Sequence, residues 1–497
     1  MKTLFSASLL ALAAAGAVSA QDISQSSSQW FADGQAAIEA ALAKQDNTGR
    51  ALNVILFVAD GNGVASNYMN RMWAGQQAGG MGDDYVQPQE AFPELALVKT
   101  YNINAQTPDS APTAGAMNTG VKQRFNVINV GENAVNGKCE TEAGNELTLF
   151  SELMTEAGKS VGAVTTARLT HATPAAVYAK TADRNWEDEV PEGCDSSRDI
   201  ATQMIDAMEA GTLDIALGGG ARYFVPKGEA TPNGGQGHRA DGKNLLDIAK
   251  ANGIQYASNK AELAALDLSQ PVLGMWTDSH ASYEADRPDT EPSLAEMVET
   301  AIKKLSMNEK GFYLEVEAGR VDHANHATNA KRAMIDGKAF ADAIAMADAM
   351  TDDADTLIIV TADHEHAIAM NGYCGRGTPI DGLCMGVAKE GIETTGEPLL
   401  AADGKPYTVV GYLNGASSVM VEQADGKFTA PEGRPEITQE QATDIDYNQQ
   451  VLIPMSSESH SAVDVALYAK GPWAHLFDGT VEQNYIFHVM NYAVSAE

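Results

Sequence analysis

The sequence has little positive charge and few aromatic residues. It carries 33 Lys and Arg residues against 67 Asp and Glu, for a formal net charge of −34 at pH 7, and aromatic residues make up 6%. Nucleic-acid binding needs a basic face, so this balance argues against that class of function. The acidity is typical of a solvated surface that keeps a protein soluble. Any site for an anion must therefore carry its own local positive charge.

Cysteine is also scarce. The four residues Cys139, Cys194, Cys374 and Cys384 include no CxxC pair, which makes a cysteine zinc site a poor interpretation. Four cysteines allow three disulfide pairings. Cys374 and Cys384 are close in sequence and favour a bridge that closes one loop. The other two cysteines would then tie two surface segments together.

Long apolar runs are almost absent after the first twenty residues. A lysine precedes an apolar stretch over residues 4–15 that is too short to span a bilayer, and Val18-Ser-Ala20 is typical of a signal-peptide cleavage site. We therefore expect residues 1–20 to be a secretory signal and the mature chain, 21–497, to have no stable membrane anchor. Export to the periplasm or the extracellular space would let disulfides persist.

Apolar runs alternate with helical patterns along the rest of the chain. This order predicts an α/β fold with a large, mostly parallel central sheet and helices on both faces. The predicted strands are Asn53–Ala59, Ser160–Thr165, Leu213–Leu217, Phe312–Val316, Thr356–Thr361 and Val463–Ala469. The predicted helices are Leu147–Ala157, Asp199–Ala210, Pro292–Leu305 and Ala330–Ala349. Residues 225–243 predict a long loop, and residues 373–455 predict a subdomain inserted between two core strands.

Carboxylates and imidazoles follow one predicted strand in close succession. Glu317, Asp322, His323 and His326 lie within ten residues of each other, just after the apolar run over residues 311–316. In an open α/β sheet, ligands bind at the carboxyl ends of strands. Oxygen and nitrogen donors suit Zn²⁺ and Mg²⁺. A solvated acidic loop is the alternative interpretation.

Three other strand ends carry similar residues. Asp60 ends the first strand beside two glycines, where an Asp-Gly turn is the simpler interpretation. Asp363 and His364 end a later strand and form a strong metal signal, with His366 as a possible bystander. His460 precedes the last predicted strand and is a candidate final ligand.

A serine and an arginine indicate phosphate chemistry. Ser110 follows Asp109 at a predicted helix start, where backbone N–H groups favour a phosphate, although either residue could simply cap the helix. His171 and Thr173 follow another strand and could hold a hydrated cation. Arg184, eleven residues later, could grip two phosphate oxygens in a fork, or it could be an ordinary surface arginine.

These residues together resemble the alkaline phosphatases. The shared motifs run from Val54 to Tyr492 and include Asp-Gly-x-Gly, Asp-Ser-Ala, His-Ala-Thr-Pro-Ala, Glu-x-Gly-Arg-x-Asp-His, Thr-Ala-Asp-His and Glu-x-His. The resemblance implies a phosphate monoester hydrolase with a serine nucleophile, a phosphoserine intermediate, two Zn²⁺, one Mg²⁺ and a preference for alkaline pH. It also implies a homodimer, with residues 373–455 as a crown-like part of its interface.

The resemblance assigns a role to each candidate residue. Ser110 would be the nucleophile, and Arg184, oriented by Asp109, would bind the phosphate oxygens. One zinc would be held by Asp322, His326 and His460, and the other by Asp60, Asp363, His364 and the serine oxygen. Magnesium would take Asp60, Thr173 and Glu317, with His171 nearby through water.

Two histidines resemble the animal-type branch of the family. His171 and His323 stand where some bacterial members have Asp and Lys. That branch has an additional Ca²⁺ site, but Trp276 and Thr277 occupy the region where its pattern has Phe and Glu. The acidic residues Glu229 and Glu291 are the remaining candidates, and the sequence leaves this calcium open.

Four other functions compete with this interpretation. Phosphodiesterases, sulfatases and cofactor-independent phosphoglycerate mutases are related metalloenzymes. Sulfatases typically have an arginine four residues after the modified Cys or Ser, and here Ala114 stands at that position after Ser110. Arg184 and the full magnesium set favour monoesters over diesters. A secreted metal-binding protein, the fourth, would need the metal ligands but neither Ser110 nor Arg184.

Overall fold

The computed structural model describes residues 24–496, so the predicted signal segment lies outside the described residues. The chain divides into two compact units, residues 1–45 and 46–497. In the first unit the described part contains helix α1 (Gln29–Ala43), which has no buried residue. No helix between residues 24 and 496 is both long enough and apolar enough to cross a membrane.

A ten-stranded sheet forms the centre of the second unit. Its strands in chain order are β1 (Asn53–Ala59), β2 (Glu94–Lys99), β3 (Ser160–Arg168), β4 (Ile215–Gly219), β5 (Gln255–Ala257), β6 (Val272–Met275), β7 (Phe312–Ala318), β8 (Thr356–Ala362), β9 (Val465–Lys470) and β10 (Thr480–Glu482). The spatial order is β10-β2-β9-β8-β1-β7-β3-β4-β6-β5. Neighbours are parallel except where β9 pairs with β2 and β8. The mostly parallel sheet predicted from the sequence is therefore confirmed.

Twelve α-helices are described in the second unit. They are α2 (Val64–Gln77), α3 (Ser110–Thr119), α4 (Phe150–Glu156), α5 (Ala172–Ala175), α6 (Ile200–Glu209), α7 (Leu245–Ala251), α8 (Lys260–Ala265), α9 (Leu294–Leu305), α10 (Arg320–His326), α11 (Ala330–Met350), α12 (Gln439–Ala442) and α13 (Tyr485–Ser495). The four predicted helices correspond to α4, α6, α9 and α11. Their ends shift by only a few residues.

Helices cover both faces of the sheet. Ile55 and Phe57 of β1 pack in one core with residues of α2, α9 and α11. Leu56 and Val58 of the same strand pack in a second core with residues of α3, α4, α6 and α13. Because both faces of β1 are buried, its sequence is a continuous apolar run without polar alternation.

Residues 373–455 differ from the sheet. Within and around them lie short strands at Glu365–His366, Ile368–Met370, Met385–Val387, Thr394–Pro398, Val410–Tyr412, Asn414–Gly415, Val421–Glu422, Phe428–Thr429, Ile453–Pro454 and His460–Ser461. In the chain the segment lies after β8 and before β9. Both favoured disulfides, Cys139–Cys194 and Cys374–Cys384, are present.

Candidate active site

The predicted site residues meet at the carboxyl ends of three adjacent strands. Asp60 follows β1, and Asp363 and His364 follow β8, its neighbour on one side. Glu317 comes from β7, the neighbour on the other side. The sequence placed Glu317 after this strand, whereas the structure extends β7 through Ala318. Glu317 is therefore the second-last residue of the strand, and it is buried.

The first cluster joins Asp60, Asp363, His364 and Ser110. His364 Nε2 lies 3.2 Å from Asp60 Oδ1 and 3.4 Å from Asp363 Oδ2. Ser110 Oγ lies 3.2 Å from Asp60 Oδ1 and 3.1 Å from His364 Nε2. All four residues are buried. The donors predicted for one zinc thus surround the serine hydroxyl.

Ser110 is the first residue of α3. Asp109 is the N-cap, and its carboxylate accepts a hydrogen bond from Ala111 N at 3.3 Å. All ten residues of the helix are buried, and most are small. The positive end of the helix therefore faces the space beside the Ser110 hydroxyl, where negative charge is favoured. Both the capping interpretation of Asp109 and the anion-binding interpretation of this helix start fit this arrangement.

Arg184 supplies the local positive charge. Its Nη1 donates to Asp109 Oδ1 at 2.5 Å, and its Nη2 lies 3.0 Å from His171 Nε2. Burial lowers the pKa of the Arg184 guanidinium, but the carboxylates of Asp109 and Asp60 raise it above its ordinary value. The group stays charged, and Asp109, the residue before Ser110, and His171 hold its two terminal nitrogens.

The second cluster contains Asp322, His326 and His460. Asp322 Oδ1 lies 3.3 Å from His326 Nε2 and 3.4 Å from His460 Nε2. The two imidazole nitrogens are 3.1 Å apart. Burial alone would raise the pKa of Asp322, but the surrounding histidines hold it well below its ordinary value. Asp322 and His326 lie on α10, and His460 lies on a two-residue strand.

The third cluster is the predicted magnesium set. One ligand atom each of Asp60, His171 and Glu317 lie within 4.8 Å of one another. Thr173, also buried, lies at the start of the short helix α5, which packs against β7. Burial raises the pKa of Glu317 to about 8, although a hydrogen bond from Thr165 acts in the opposite direction. Burial and the neighbouring carboxylates of Asp322 and Asp363 raise the pKa of Asp60 well above its ordinary value.

Several buried atoms at the site lack a hydrogen-bond partner among the described residues. They are Asp60 Oδ2, Asp363 Oδ2, Glu317 Oε1, Thr173 Oγ1, His171 Nδ1 and His364 Nδ1. Unpaired buried acceptors and repelling carboxylates are both costly in a protein interior. Divalent cations would satisfy the oxygens and offset the charge, and carboxylate, imidazole and hydroxyl donors are the types that Zn²⁺ and Mg²⁺ take. The residues present therefore fit the metals that the sequence predicts.

His366 and Glu458 also belong to the site, although the sequence analysis treated His366 as a bystander. His366 Nε2 lies 2.9 Å from Asp322 Oδ1, and its Nδ1 lies 2.5 Å from Glu458 Oε2. Burial lowers the pKa of His366, but the two carboxylates raise it to about 10. Glu458 is 92 residues away from His366 in sequence, so no local pattern links the two residues. The one indication that Glu458 belongs to the site is the Glu-x-His motif that it forms with His460.

Three imidazoles lie next to one another, and one of them, His171, contacts Arg184. The ring centroids of His171 and His280 are 5.2 Å apart, and those of His280 and His323 are 4.0 Å apart. His323, predicted as a branch marker and not as a ligand, lies 3.3 Å from Arg320 Nη1. Burial lowers the pKa of His323 to about 3. His280 was missed because it stands alone in a loop with no motif around it.

The acidic residues considered for calcium do not meet. Glu229 accepts a hydrogen bond from Asn244 at 3.3 Å and is exposed. Glu291 is buried and accepts from Ser282 N at 2.9 Å. Neither belongs to any of the groups of metal-ligand atoms found among residues 24–496. The structure gives these two residues separate partners, so it offers no support for a calcium site built on them.

Comparisons with known proteins agree with this geometry. The family model described as alkaline phosphatase matches residues 51–496. The chain is 39% identical to the mouse tissue-nonspecific isozyme over 487 residues, covering 94% of this chain and 88% of that protein. It is 38% identical to the alkaline phosphatase of Gadus morhua, covering 93% and 96%. These relatives are animal proteins, in line with the branch predicted from His171 and His323.

Solved structures share the fold. The alkaline phosphatase of Thermus thermophilus matches with a TM-score of 0.65 at 24% identity, covering 92% of this chain and 94% of that one. The enzyme of the Antarctic bacterium TAB5 matches with a TM-score of 0.61 at 22% identity, covering 90% and 99%. The chain belongs to the alkaline phosphatase family of phosphate monoester hydrolases.

Proposed function

We propose that this enzyme hydrolyses small phosphate monoesters with Ser110 as nucleophile, through a phosphoserine intermediate. The main observation in support is the position of the Ser110 hydroxyl. It lies within 3.2 Å of Asp60 and of His364, at the start of a helix whose N-cap also holds Arg184. A serine in this setting has metal-ligand atoms on one side and a fixed guanidinium on the other. A protein that only binds metals needs neither feature.

We assign two zinc ions and one magnesium ion to the three clusters. Asp60, Asp363, His364 and Ser110 would hold one zinc, and Asp322, His326 and His460 the other. Asp60, Thr173 and Glu317, with His171 nearby, would hold magnesium. When bound, such a pair of zinc ions supplies Lewis acidity that favours the serine alkoxide and stabilises the leaving oxygen.

The chain's own residues carry the rest of the reaction. Arg184 binds two equatorial oxygens of the phosphoryl group and offsets the charge that develops on them. Ser110 Oγ attacks phosphorus in line, its bond to phosphorus forms, and the ester bond breaks to release the alcohol. Water then attacks the phosphoserine, releasing inorganic phosphate and restoring the Ser110 hydroxyl. The buried walls of the site limit competing contacts with bulk water.

Alkaline pH favours this site because its carboxylates are hard to ionise. Metal ligands must be deprotonated before they bind, and burial raises the pKa of Asp60 and Glu317. The metal-free site therefore gains ligand charge as pH rises, and we expect the extent of metal loading to rise with it. Titrating the metal-depleted protein with Zn²⁺ and Mg²⁺ at pH 6 and pH 9 measures this effect.

The substrate class is tested with one pair of compounds. We expect p-nitrophenyl phosphate to be hydrolysed faster than bis-p-nitrophenyl phosphate, and a chelator to abolish both activities. Faster turnover of the diester would replace the monoesterase by a phosphodiesterase. Metal binding without turnover of either compound would favour the secreted metal-binding protein.

The nucleophile is tested by trapping. We expect Ser110→Ala to remove the phosphoenzyme that forms when the enzyme is quenched in acid with labelled substrate or phosphate. Ser151→Ala is a matched control, because Ser151 is equally buried on α4 and its hydroxyl donates to the backbone oxygen of Val177. A label that persists in the Ser110 variant would assign the nucleophile to another residue.

We further propose an exported homodimer with residues 373–455 at its interface. This segment exposes large apolar side chains, among them Tyr373 at 90% and Ile392 at 74% exposed. Its two cysteines form a disulfide, which suits an oxidising compartment. Light scattering on the purified protein tests the dimer, and a monomer mass at micromolar concentration would reject it. Cell fractionation tests the export.

A further inference from the structure

Thr328 adopts a backbone conformation that threonine rarely takes. It follows α10 by two residues and has φ +58°, in the left-handed region. The helix ends in a motif in which Thr328 N bonds to Asn325 O at 2.7 Å and Asn329 N bonds to Ala324 O at 2.8 Å. Glycine is the usual residue at this position. A β-branched residue is strained there, and such strain is kept only where the surroundings over-determine it.

The side chain of Thr328 explains why glycine is not used. Its Oγ1 lies 2.8 Å from Ser417 Oγ, in the inserted segment 373–455. Ser417 Oγ also lies 2.5 Å from the backbone oxygen of Gln449, whose own N–H donates to Thr328 O at 2.8 Å. Thr328 is buried. Because the single Ser417 proton goes to Gln449, Thr328 Oγ1 is the donor to Ser417, although it also lies 2.6 Å from the backbone oxygen of Ala327. The three residues then close a ring between the end of α10 and the insertion.

The same stretch of the insertion also holds the loop that carries His460. Asn414 Nδ2 donates to Ser459 Oγ at 2.9 Å, and Ser459 N donates to Asn414 Oδ1 at 3.0 Å. Ser459 precedes His460, and Thr328 follows His326 by two residues. The four-residue segment Asn414–Ser417, hereafter the bracing segment, thus touches both chain segments whose imidazoles meet 3.1 Å apart.

We propose that the bracing segment sets the spacing of His326 and His460, and that Thr328, Ser417 and Asn414 are positioning residues for the zinc held by those imidazoles. The inference rests on the proposed zinc set of Asp322, His326 and His460. The three positioning residues act by limiting how far the two histidines can move apart once the metal leaves. A braced ligand pair rebinds zinc at a smaller cost in ordering.

The central experiment compares Thr328→Gly with Thr328→Ser. Glycine relieves the backbone strain but removes the hydroxyl, whereas serine keeps the hydroxyl. We expect Thr328→Gly to weaken zinc binding about tenfold, measured by competition of the holoenzyme with a chromogenic chelator, and Thr328→Ser to stay near wild type. Thermal unfolding of the metal-free proteins should show no loss of stability in Thr328→Gly. A residue with a purely structural role would lose stability without losing zinc.

Ser417→Ala tests the other side of the contact. We expect Ser417→Ala to weaken zinc binding, as Thr328→Gly does. The double variant should bind zinc no more weakly than the weaker of the two single variants, because both substitutions remove the same contact. Ser418→Ala is the matched control, since Ser418 donates instead to Leu452 O at 2.9 Å. Zinc affinities of Thr328→Gly and Ser417→Ala within twofold of wild type overturn the inference. A wild-type protein that binds no zinc overturns the proposed function as well.

Discussion

The two proposed zinc sets are built in different ways. The inner set (Asp60, Asp363, His364 and Ser110) comes from strand ends and a buried helix, and its Asp and His side chains are 0% exposed. In the outer set (Asp322, His326 and His460), the side chain of His326 is 31% exposed and that of His460 is 15% exposed. One set is fixed by the central sheet, and the other depends on short elements and the insertion.

Sheet register explains the inner set. Ala59 of β1 pairs with Ala362 of β8, so the next residues, Asp60 and Asp363, leave the sheet side by side. No comparable ladder holds His326 to His460. The same kind of donor cluster is thus obtained in one case by extending core strands and in the other from a short helix and a two-residue strand. The outer set should therefore exchange metal more readily than the inner one.

Loss of Asp60 should have the largest effect. Asp60 offers oxygens to both the inner set and the magnesium set. We expect Asp60→Asn to lower kcat/KM for p-nitrophenyl phosphate by about 10³-fold or more and to reduce the bound metal of both sets. Steady-state kinetics and metal analysis check this. Asp342→Asn on the exposed face of α11 is the control, and a tenfold loss or less in the Asp60 variant would contradict the shared role.

Removal of one histidine from each set should separate them. We expect His460→Asn to lose about 10²-fold in activity and to recover partly in excess Zn²⁺, because two outer donors remain on a half-open site. We expect no recovery in His364→Asn, whose gap lies in a fully buried cluster. Activity is measured against added Zn²⁺. Equal recovery in both variants would remove the distinction between the sets.

Arg184 should have a smaller effect, because in our proposal it binds the substrate phosphate and no metal. We expect Arg184→Met to lower kcat/KM by roughly 10- to 100-fold and to weaken inhibition by inorganic phosphate, while the metal content stays unchanged. Arg184→Lys should recover only part of the loss, since an ammonium cannot form the fork. Metal loss in either variant would mean that Arg184 supports the ligands and not the phosphate.

Asp336 tests a buried carboxylate that belongs to neither set. Burial raises its pKa to about 8, so the native state holds a proton that the unfolded chain, with a pKa of 3.8, releases earlier. The contribution of Asp336 to the stability of the wild type should therefore fall as pH rises from about 4 to 8. Asp336→Asn removes that contribution, and we expect the variant to gain stability relative to the wild type between pH 5 and pH 9. Urea unfolding at both pH values measures this, and parallel curves would contradict it.

The sequence predicted the strands that are long apolar runs. It missed short strands, strand direction and contacts between residues far apart in the chain. The strands before Asp60 and Asp363 are almost wholly apolar, and the strand that carries Glu317 is apolar except for its glutamates, because both faces of the sheet are covered. The strand β2 was missed: its apolar run is only four residues long and lies between Glu94 and Lys99, and in the fold Leu95 and Leu97 are exposed. The antiparallel direction of β9 was not predicted either, since no short-range signal distinguishes it.

The site followed the same division. Every candidate ligand had a motif next to a strand end, so the clusters could be assembled by the rule that strand ends converge. His280 has no such motif, and Glu458 reaches His366 only through the folding of 92 intervening residues. The positions of His280 and Glu458 in the site depend on burial and on contacts with distant residues, and a local sequence pattern shows neither.

The composition of α3 has a consequence for how this enzyme can change. Ten buried residues, nearly all small, leave no side chain on this helix that can be enlarged without displacing the core. At Gly115, for example, an added Cβ would come within 2.5 Å of the Gln123 side chain. Few substitutions that change substrate range can therefore be tolerated in the helix that carries the proposed nucleophile. Variants with altered substrate range should instead have substitutions around His326 and His460, because these side chains are partly exposed and larger neighbours can be accommodated there.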